Sequence, residues 1–596
     1  MKRAAPFLLL LLALVSYAPA LRNGFVWDDQ ALILRDPLIR SWRLIGEGFQ
    51  HYLFTDAAAS DFYRPLQRLS YTFDYAIFFL SPAGYHLVSI LWHGAAAIAL
   101  FFFAEEFLAV CDWEAGRRAR VAFLAALVWV WHPVQSSAVV YIAGRADSMA
   151  VAFGFLALFL ASRMGRASGG HRTAFGLAAG VCFLASALSK EMGLIFLLIW
   201  LIIFFAQRPR SSVFAAVGLV ATVLAAYLSL RLPAEHLPAP VPPREPVLVR
   251  PIVVARAVAE YAGLLICPLR LHMERDVETH PSGWDDASLN AAAWRELQTL
   301  VGILLIVAWG YALWRTRKRP AIFLLLLLAL VAYLPVSGLL TLNATVAEHW
   351  LYLPSAFLFL VGVIAFDSLG EDSLRRNFVS VCLTIWLLAL PVRTFVRTFD
   401  WKDQRTFLTR TIEAGGDSAR MWINLGGLEL SEGHLDAARK ALDRALTKEP
   451  DNPLARLNLA AVLIKQGDFP AARALLKKIN DPPDVWARAE ESLAVLENRE
   501  TGNVNLMRLR LASRLGPPNW AIEQRYIKAL KDLNFPDRAI IELKTCLGVA
   551  PYRAESWQVM GELLHHIGRP KEAAIALAEA EANDVHLHDR AAKPLL

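Results

Sequence analysis

Apolar runs long enough to cross a bilayer fill residues 1 to about 400 of this 596-residue chain and then stop. A backbone surrounded by hydrocarbon must satisfy its own N–H and C=O groups, so each such run is committed to a helix. Hydrophobic residues make up 56% of the chain, but they are unevenly spread, and the last third reads as soluble. The expected fold is therefore all-α: a polytopic α-helical membrane domain of about 11 spans over residues 1–400, a linker over 401–417, a helical repeat array over 418–583 and a tail over 584–596.

Residues 5–21, preceded by Lys2 and Arg3, suit either a signal peptide or a first membrane helix; Ala18-Pro19-Ala20 mimics a cleavage site, and the spans that follow favour an uncleaved anchor. Further apolar stretches run at 84–108, 119–133, 147–163, 173–189, 191–206, 212–231, 298–314, 320–340, 348–366 and 376–396. With a cytoplasmic N-terminus, the basic clusters Arg117/Arg118/Arg120, Arg163/Arg166/Arg172, Arg208/Arg210, Arg315/Arg317/Lys318/Arg319 and Arg375/Arg376 all fall on the inner side, as positive-inside bias requires. Eleven crossings then leave the repeats outside the cytoplasm, together with loops at 22–83, 232–297 and 341–350. The apolar segment Pro251–Leu269 carries Arg256 and Glu260 and would break the alternation if it spanned, so it reads as interfacial or re-entrant. A net charge of +7 fits this loop bias, and no Lys/Arg tract is dense enough for a nucleic-acid surface. The five cysteines are scattered without a Cys-x-x-Cys pair and imply neither a disulfide framework nor a zinc site.

The soluble part repeats with a period of about 34 residues. Trp422, Leu425, Gly426, Gly433, Leu435, Ala438, Leu442, Ala445 and Pro450 fall at tetratricopeptide spacing, with Glu429 where a large aromatic usually stands. Leu459, Ala460, Leu463, Gly467, Phe469, Ala472 and Leu476 follow one period later, then a degenerate unit over about 487–519. Tyr526, Leu530, Ala539, Leu543 and Pro551 restore the pattern, and Trp557, Met560, Gly561, Leu564, Gly568, Ala573, Leu577 and Ala580 complete it. Small residues let paired helices approach and large ones fill the gap, giving a superhelix whose groove suits an extended peptide or a partner protein.

Chemistry concentrates at the outer ends of the spans. Trp27-Asp28-Asp29 puts two carboxylates just beyond the first apolar run, either as capping acids or as the acid/base equipment of an enzyme. Tyr63-Arg64-Pro65-Leu66, Tyr85-His86, His132-Pro133, Gly144-Arg145-Ala146-Asp147, Ser189-Lys190-Glu191 and Glu348-His349 with Tyr352-Leu353-Pro354 all fall on the same side, where random scatter would use both faces. Singly, each histidine reads as a core or interfacial residue, and Lys190-Glu191 reads equally as a structural ion pair.

In order and topology these motifs resemble the transmembrane and tetratricopeptide-repeat-containing O-mannosyltransferases and their bacterial relatives in the GT-C superfamily, over essentially the whole chain. The short repeat array resembles the bacterial members, which implies an inner-membrane protein with periplasmic repeats. The resemblance implies a polyprenyl- or dolichyl-phosphate sugar as donor and a hydroxyl acceptor, Ser or Thr of a protein. Asp28 or Asp29 would be the base, with Arg64, Arg145 and Lys190 as cations for the leaving phosphate, His86 and His132 as added hydrogen bonds, and Asp147, Glu191, Glu348 and His349 completing the site. One departure stands out: the animal relatives lead one to expect Glu-Arg before Tyr-Leu-Pro, and here it is Glu348-His349. No metal is required, although a divalent cation between the doublet and the phosphate is chemically reasonable. The alternatives are an oligosaccharide ligase or polymerase using a pyrophosphate-linked glycan, and a non-enzymatic membrane-anchored scaffold.

Overall fold

The computed structural model describes residues 3–55, 62–206, 213–234, 249–277, 286–339, 342, 344–369 and 373–592. Arg208, Arg210 and nearly all of the proline-rich run from Pro233 to Pro251 lie outside the described residues, as do the side chains of Arg375 and Arg376. What is described is helical, save for one antiparallel pair of two-residue strands, Glu274–Arg275 with Val346–Ala347.

Each apolar stretch has become a helix. Among the described residues eight helices are long and apolar enough to cross a membrane, including Ala5–Arg22, Pro82–Val110, Ile142–Arg166 and Glu348–Asp367. A ninth is broken, Ala115–Trp131 and Pro133–Val139 being bent by 58°. The break has a covalent cause: a residue before proline is pushed out of the α region, and His132 sits there at φ −72°, ψ 124°. Glu191–Ala206 and Pro320–Val336 are shorter apolar helices. This is an integral, multi-pass membrane protein. The Pro251–Leu269 segment forms the helix Arg250–Ile266, which is not among the membrane-crossing candidates. It buries Val253, Ala257, Tyr261 and Leu264 against Val134, Val346 and Leu351, and its charges are paired, Arg256 with Glu296 (2.8 Å) and Glu260 with Arg275 (2.6 Å).

The chain clusters into two units, 1–29, 81–233 and 241–416 in the first, and 30–80, 234–240 and 417–596 in the second. The division is not linear: most of the first loop belongs with the repeats. In that second unit Tyr75 Oη donates to Asp584 (2.8 Å), Val585 N–H donates to the Arg40 carbonyl (3.1 Å), and Ser41 Oγ donates to the Ala582 carbonyl (2.8 Å). Leu38 and Leu44 share a small apolar cluster with Ala550 and Tyr552. Within the loop, buried Arg68 pairs with Asp36 (3.0 Å) and gathers the carbonyls of Gly48, His51, Tyr52 and Leu53.

The repeats are antiparallel helix pairs from Ala419–Ser431 and Leu435–Lys448 through to Ala554–His566 and Pro570–Asn583. Their cores contain the residues that the period selects: Ala438, Leu442, Leu459, Ala460, Leu463, Ala472 and Leu476 in one cluster, Tyr526, Leu530, Ala539, Leu543, Met560, Leu564 and Ala573 in another. Glu429, in the place of the usual aromatic, is buried, and its carboxylate takes the His434 imidazole at 2.9 Å. Helix starts carry their own signals, such as Asn452, which accepts from the N–H groups of Leu454 and Ala455 ahead of Pro453.

The repeat identity shows most closely at two glycines. A Cβ on Gly426 would lie 2.6 Å from Leu442 Cγ, and one on Gly561 would lie 2.7 Å from Leu577 Cγ, so the same close approach recurs in the first and last repeats. Gly427, next door, would place its Cβ 3.5 Å from the Asn458 amide, an ordinary contact. Gly561→Ala and Gly426→Ala are each expected to cost about 1–3 kcal/mol through overpacking, while Gly427→Ala is neutral or slightly stabilising. Thermal melts of the purified full-length variants check the contrast.

Candidate functional site

The first unit holds the acidic doublet in a strained and heavily tethered segment. As the chain leaves the first span, Asn23 Nδ2 donates to the Thr398 carbonyl (2.9 Å), Gly24 N–H to the Lys402 carbonyl (2.8 Å) and Trp27 N–H to Gln404 Oε1 (2.6 Å). Trp27 has φ +52°, a conformation that bulky residues rarely adopt and that persists only where the surroundings dictate it. Its ring meets Phe407 edge-on at 5.3 Å, Phe407 packs on Trp401 at 4.8 Å, and Trp401 stacks on Tyr141 at 5.5 Å.

This scaffold gives the two acids different environments. Asp29 is fully buried, with Oδ2 accepting from Val26 N–H (3.2 Å) and Oδ1 from Ala143 N–H (2.8 Å). Burial pushes its carboxyl up to about 8, helped by the neighbouring charge of Asp28 and opposed by the backbone N–H groups. Asp28 is half-buried, and its N–H donates to the Tyr141 hydroxyl at 3.3 Å. Asp29 thus fixes the backbone, while Asp28 is half-buried with its carboxylate beside the Tyr141 hydroxyl.

His86 and Arg145 stand beside this segment. The His86 Nε2 faces the Gly24 carbonyl at 3.4 Å. Arg145, fully buried at the start of its helix, donates from Nε to Ser89 Oγ (3.0 Å) and from Nη2 to the Tyr85 carbonyl (2.6 Å). Two residues on, Asp147 receives both of its 2.7 Å contacts from Lys190 Nζ. Lys190 therefore pairs across 43 positions with Asp147, while Glu191 opens the short turn Glu191–Leu194 half-exposed. Asp147, Lys190 and His349 line one cleft with Met192, Phe196 and Trp350.

Two expectations change here. His132 spends both ring nitrogens on the backbone, Nε2 on the Leu265 carbonyl (2.9 Å) and Nδ1 as acceptor from Val134 N–H (3.2 Å), so it caps a helix break and has no nitrogen left for a phosphate. Arg64 belongs to the second unit, where its guanidinium lies 4.6 Å from the Phe62 ring. Arg397 and Asp400 are residues that the sequence reading missed. Arg397 is buried between Glu348 (3.3 Å) and Asp400 (2.8 Å). The available signal was its position near the end of the apolar helix Asn377–Trp401, since a charge there demands a partner.

Asp29 supplies a measurable signature. An acid whose folded-state pKa lies above its usual 3.8 stabilises the fold in its protonated form, so that contribution is complete at low pH and drains away as pH climbs towards 8. The melting temperature of Asp29→Asn relative to the parent is expected to rise from pH 6 to pH 9 in detergent, because only the parent loses stability by titrating this group. A difference that stays flat over that window removes the buried-acid assignment.

Comparison with known proteins agrees with this architecture. A tetratricopeptide-repeat family model matches residues 429–494. A protein O-mannosyl-transferase of Caenorhabditis elegans is 23% identical, covering 74% of this chain and 62% of its own length. The human protein O-mannosyl-transferases TMTC3 and TMTC4 are 24% and 25% identical, covering 74% and 72% of this chain and 51% and 64% of their own lengths. The chain thus spans less than two thirds of these relatives. A structure of ArnT from Cupriavidus metallidurans bound to undecaprenyl phosphate aligns over 80% of this chain and 81% of its own at 16% identity, with a TM-score of 0.35. In motif order, apolar helices and trailing repeats, this chain is similar to the protein O-mannosyl-transferases of these animals.

Proposed function

We propose that the protein is a glycosyltransferase that moves one sugar, mannose by analogy with the names of its relatives, from a polyprenyl-phosphate donor to a Ser or Thr hydroxyl on the extracytoplasmic side of a bacterial inner membrane. The observation that carries the proposal is the inequality of the doublet: Asp29 locked by two backbone N–H groups and Asp28 left half-buried beside it. In the step proposed, the acceptor oxygen attacks the anomeric carbon, Asp28 takes the hydroxyl proton, the bond from that carbon to the phosphate oxygen breaks, and polyprenyl phosphate leaves.

Lys190 is the cation best placed to meet that phosphate, because it lines a cleft with Asp147 and His349, whereas Arg145 is fully enclosed. Asp147 and His349 line the same cleft; Glu348 is the buried carboxylate that orders Arg397 behind it. His86 and Arg145 shape the segment that carries the doublet. The first loop and the repeats pack in one unit, so they share one side of any bilayer, and an acceptor protein held in the repeat groove is on the side of the doublet's loop. A divalent cation, if one is used, would be held by the Asp28–Asp29 doublet and the lipid phosphate.

Transfer of radiolabelled mannose from polyprenyl-phosphate mannose in membranes tests this reading. Asp28→Asn is expected to lose about 10²–10⁴ in rate, the usual contribution of a positioned base, with little change in donor KM. Full activity in Asp28→Asn overturns the assignment. Lys190→Ala is expected to raise donor KM, with Lys190→Arg retaining most of the affinity; equal losses in both would make Lys190 a fold-holding partner of Asp147 only.

A further inference from the structure

The first repeat departs from its successors at the turn between its two helices. Four such turns share one backbone, reversed at a left-handed residue: Gly433, Gly467, Asn534 and Gly568. In each, the next N–H reaches back to a carbonyl in the last turn of the preceding helix. His434 donates to Glu429 (2.8 Å), Asp468 to Leu463 (3.0 Å), Phe535 to Leu530 (2.8 Å) and Arg569 to Leu564 (2.9 Å). This is the helix-ending hydrogen bond of a Schellman turn.

The residue whose carbonyl accepts that bond turns its side chain into the core. It is leucine at 463, 530 and 564, all buried. In the first repeat it is Glu429, 6% exposed against 5% for Leu463 and Leu564. The turn therefore needs no acid, and an apolar side chain serves the same place three times over. A carboxylate withdrawn from water is costly unless something compensates it.

Two more ligating groups converge on Glu429. Glu432 caps the end of the helix Ala419–Ser431, and the left-handed Gly433 brings His434 back over its last turn. His434 Nδ1 lies 2.9 Å from Glu429 Oε2 and 3.6 Å from Glu432 Oε2, and the three ligating atoms all lie within 4.8 Å of one another. Ligand atoms held about 2.0–2.2 Å from a tetrahedral zinc ion stand about 3.3 Å apart, a separation that the two histidine distances bracket. The places of Glu432 and His434 are taken by Gln466 and Asp468, by Leu533 and Phe535, and by Ile567 and Arg569 in the other turns, so the three ligands coincide in the first repeat.

We propose that Glu429, Glu432 and His434 bind a divalent transition-metal ion of the zinc class. Each carboxylate gives one oxygen, and His434 gives the Nδ1 lone pair with its proton on Nε2. Imidazole with carboxylates is a donor set that zinc accepts, and the two negative charges balance the dication. His434 and Glu432, with side chains 58% and 41% exposed, give the ion a way in and leave its fourth position to water. Bound there, the ion clips the end of Ala419–Ser431 to the start of Leu435–Lys448 and fixes the joint of the first repeat. The site uses no cysteine and stands apart from the transferase reading, since an inactive protein would bind the ion equally.

Cobalt(II) is the probe, because it absorbs visible light strongly in a tetrahedral site and weakly as the octahedral aqua ion. The full-length protein, made without a histidine tag and stripped with chelator, is titrated in detergent. The expected result is an intense visible band that saturates at one equivalent and is erased by Zn²⁺. Glu429→Leu installs the residue that the other repeats carry, and His434→Arg installs that of the last turn while keeping a cation beside Glu429. Both are expected to lose the band, with cobalt affinity weakened by at least the roughly 10–100-fold that even an outer-shell partner of a metal is worth. In chelator Glu429→Leu is expected to melt at or above the temperature of the parent. A parent that shows no band in excess cobalt overturns the proposal and leaves Glu429 and His434 as an ion pair. A band of undiminished strength in either variant also overturns it, by placing the metal elsewhere on the chain.

Discussion

The packing of the first loop onto the last repeats is the contact on which the rest depends. Val585 N–H reaches the Arg40 carbonyl, Tyr75 reaches Asp584, and Ser41 reaches the Ala582 carbonyl across sequence separations of more than 500 residues. Nearly all of the membrane-spanning sequence intervenes, so the soluble unit is assembled from two pieces that emerge at opposite ends of the chain. Hydrogen bonds of this kind cannot form through a bilayer. An odd number of crossings between the two pieces is thereby excluded. The loop-closure entropy grows only slowly with length, which makes so distant a join affordable once the spans are in place.

A second constraint operates at the outer ends of the spans, where chemistry needs charge and the membrane penalises it. The chain meets this by pairing nearly every ion. Asp147 holds Lys190, Arg397 bridges Glu348 and Asp400, and Asp29 is neutralised by burial while two backbone N–H groups fix its oxygens. Asp28 is left as the half-buried member of the set, at the tip of a segment whose Trp27 is held at positive φ by Gln404 and Phe407. Local strain of about 1–3 kcal/mol at such a residue survives only where surrounding contacts over-determine it, and here they come from the far end of the membrane domain.

Much of this was legible from residues alone, and the limits are physical. Spans are legible because hydrocarbon leaves a backbone no choice but helix, and repeat cores because Gly426, Ala438 and Leu442 must recur for paired helices to nest. Periodicity identifies an apolar face without saying what the face meets: in the helix Pro65–Phe78 it is Arg68 and Asp74 that are buried, while Phe73 and Ile77 are exposed. Pairing partners distant in sequence were equally hidden. Lys190 stands next to Glu191 in the chain yet bonds Asp147, and His132 looked like a ligand until Val134 and Leu265 took both its nitrogens.

The departure at His349 can be weighed in the same terms. If an arginine at that position served a donor phosphate, its loss would leave the cleft with Lys190 as its lysine and Asp147 as that lysine's counter-charge. Arg397 cannot take over, because it already faces two carboxylates in a buried setting. A phosphate that reaches Lys190 must therefore share the ammonium with Asp147 or displace it. Sharing places anions on both sides of one cation, which weakens a donor's ground-state hold; displacement gives up the two 2.7 Å contacts between Lys190 and Asp147. In either arrangement the cleft binds the leaving phosphate less tightly than an unpaired arginine would. Weak ground-state binding is compatible with catalysis, since only interactions that strengthen on the way to the transition state raise the rate, and the phosphate gains charge as the sugar departs.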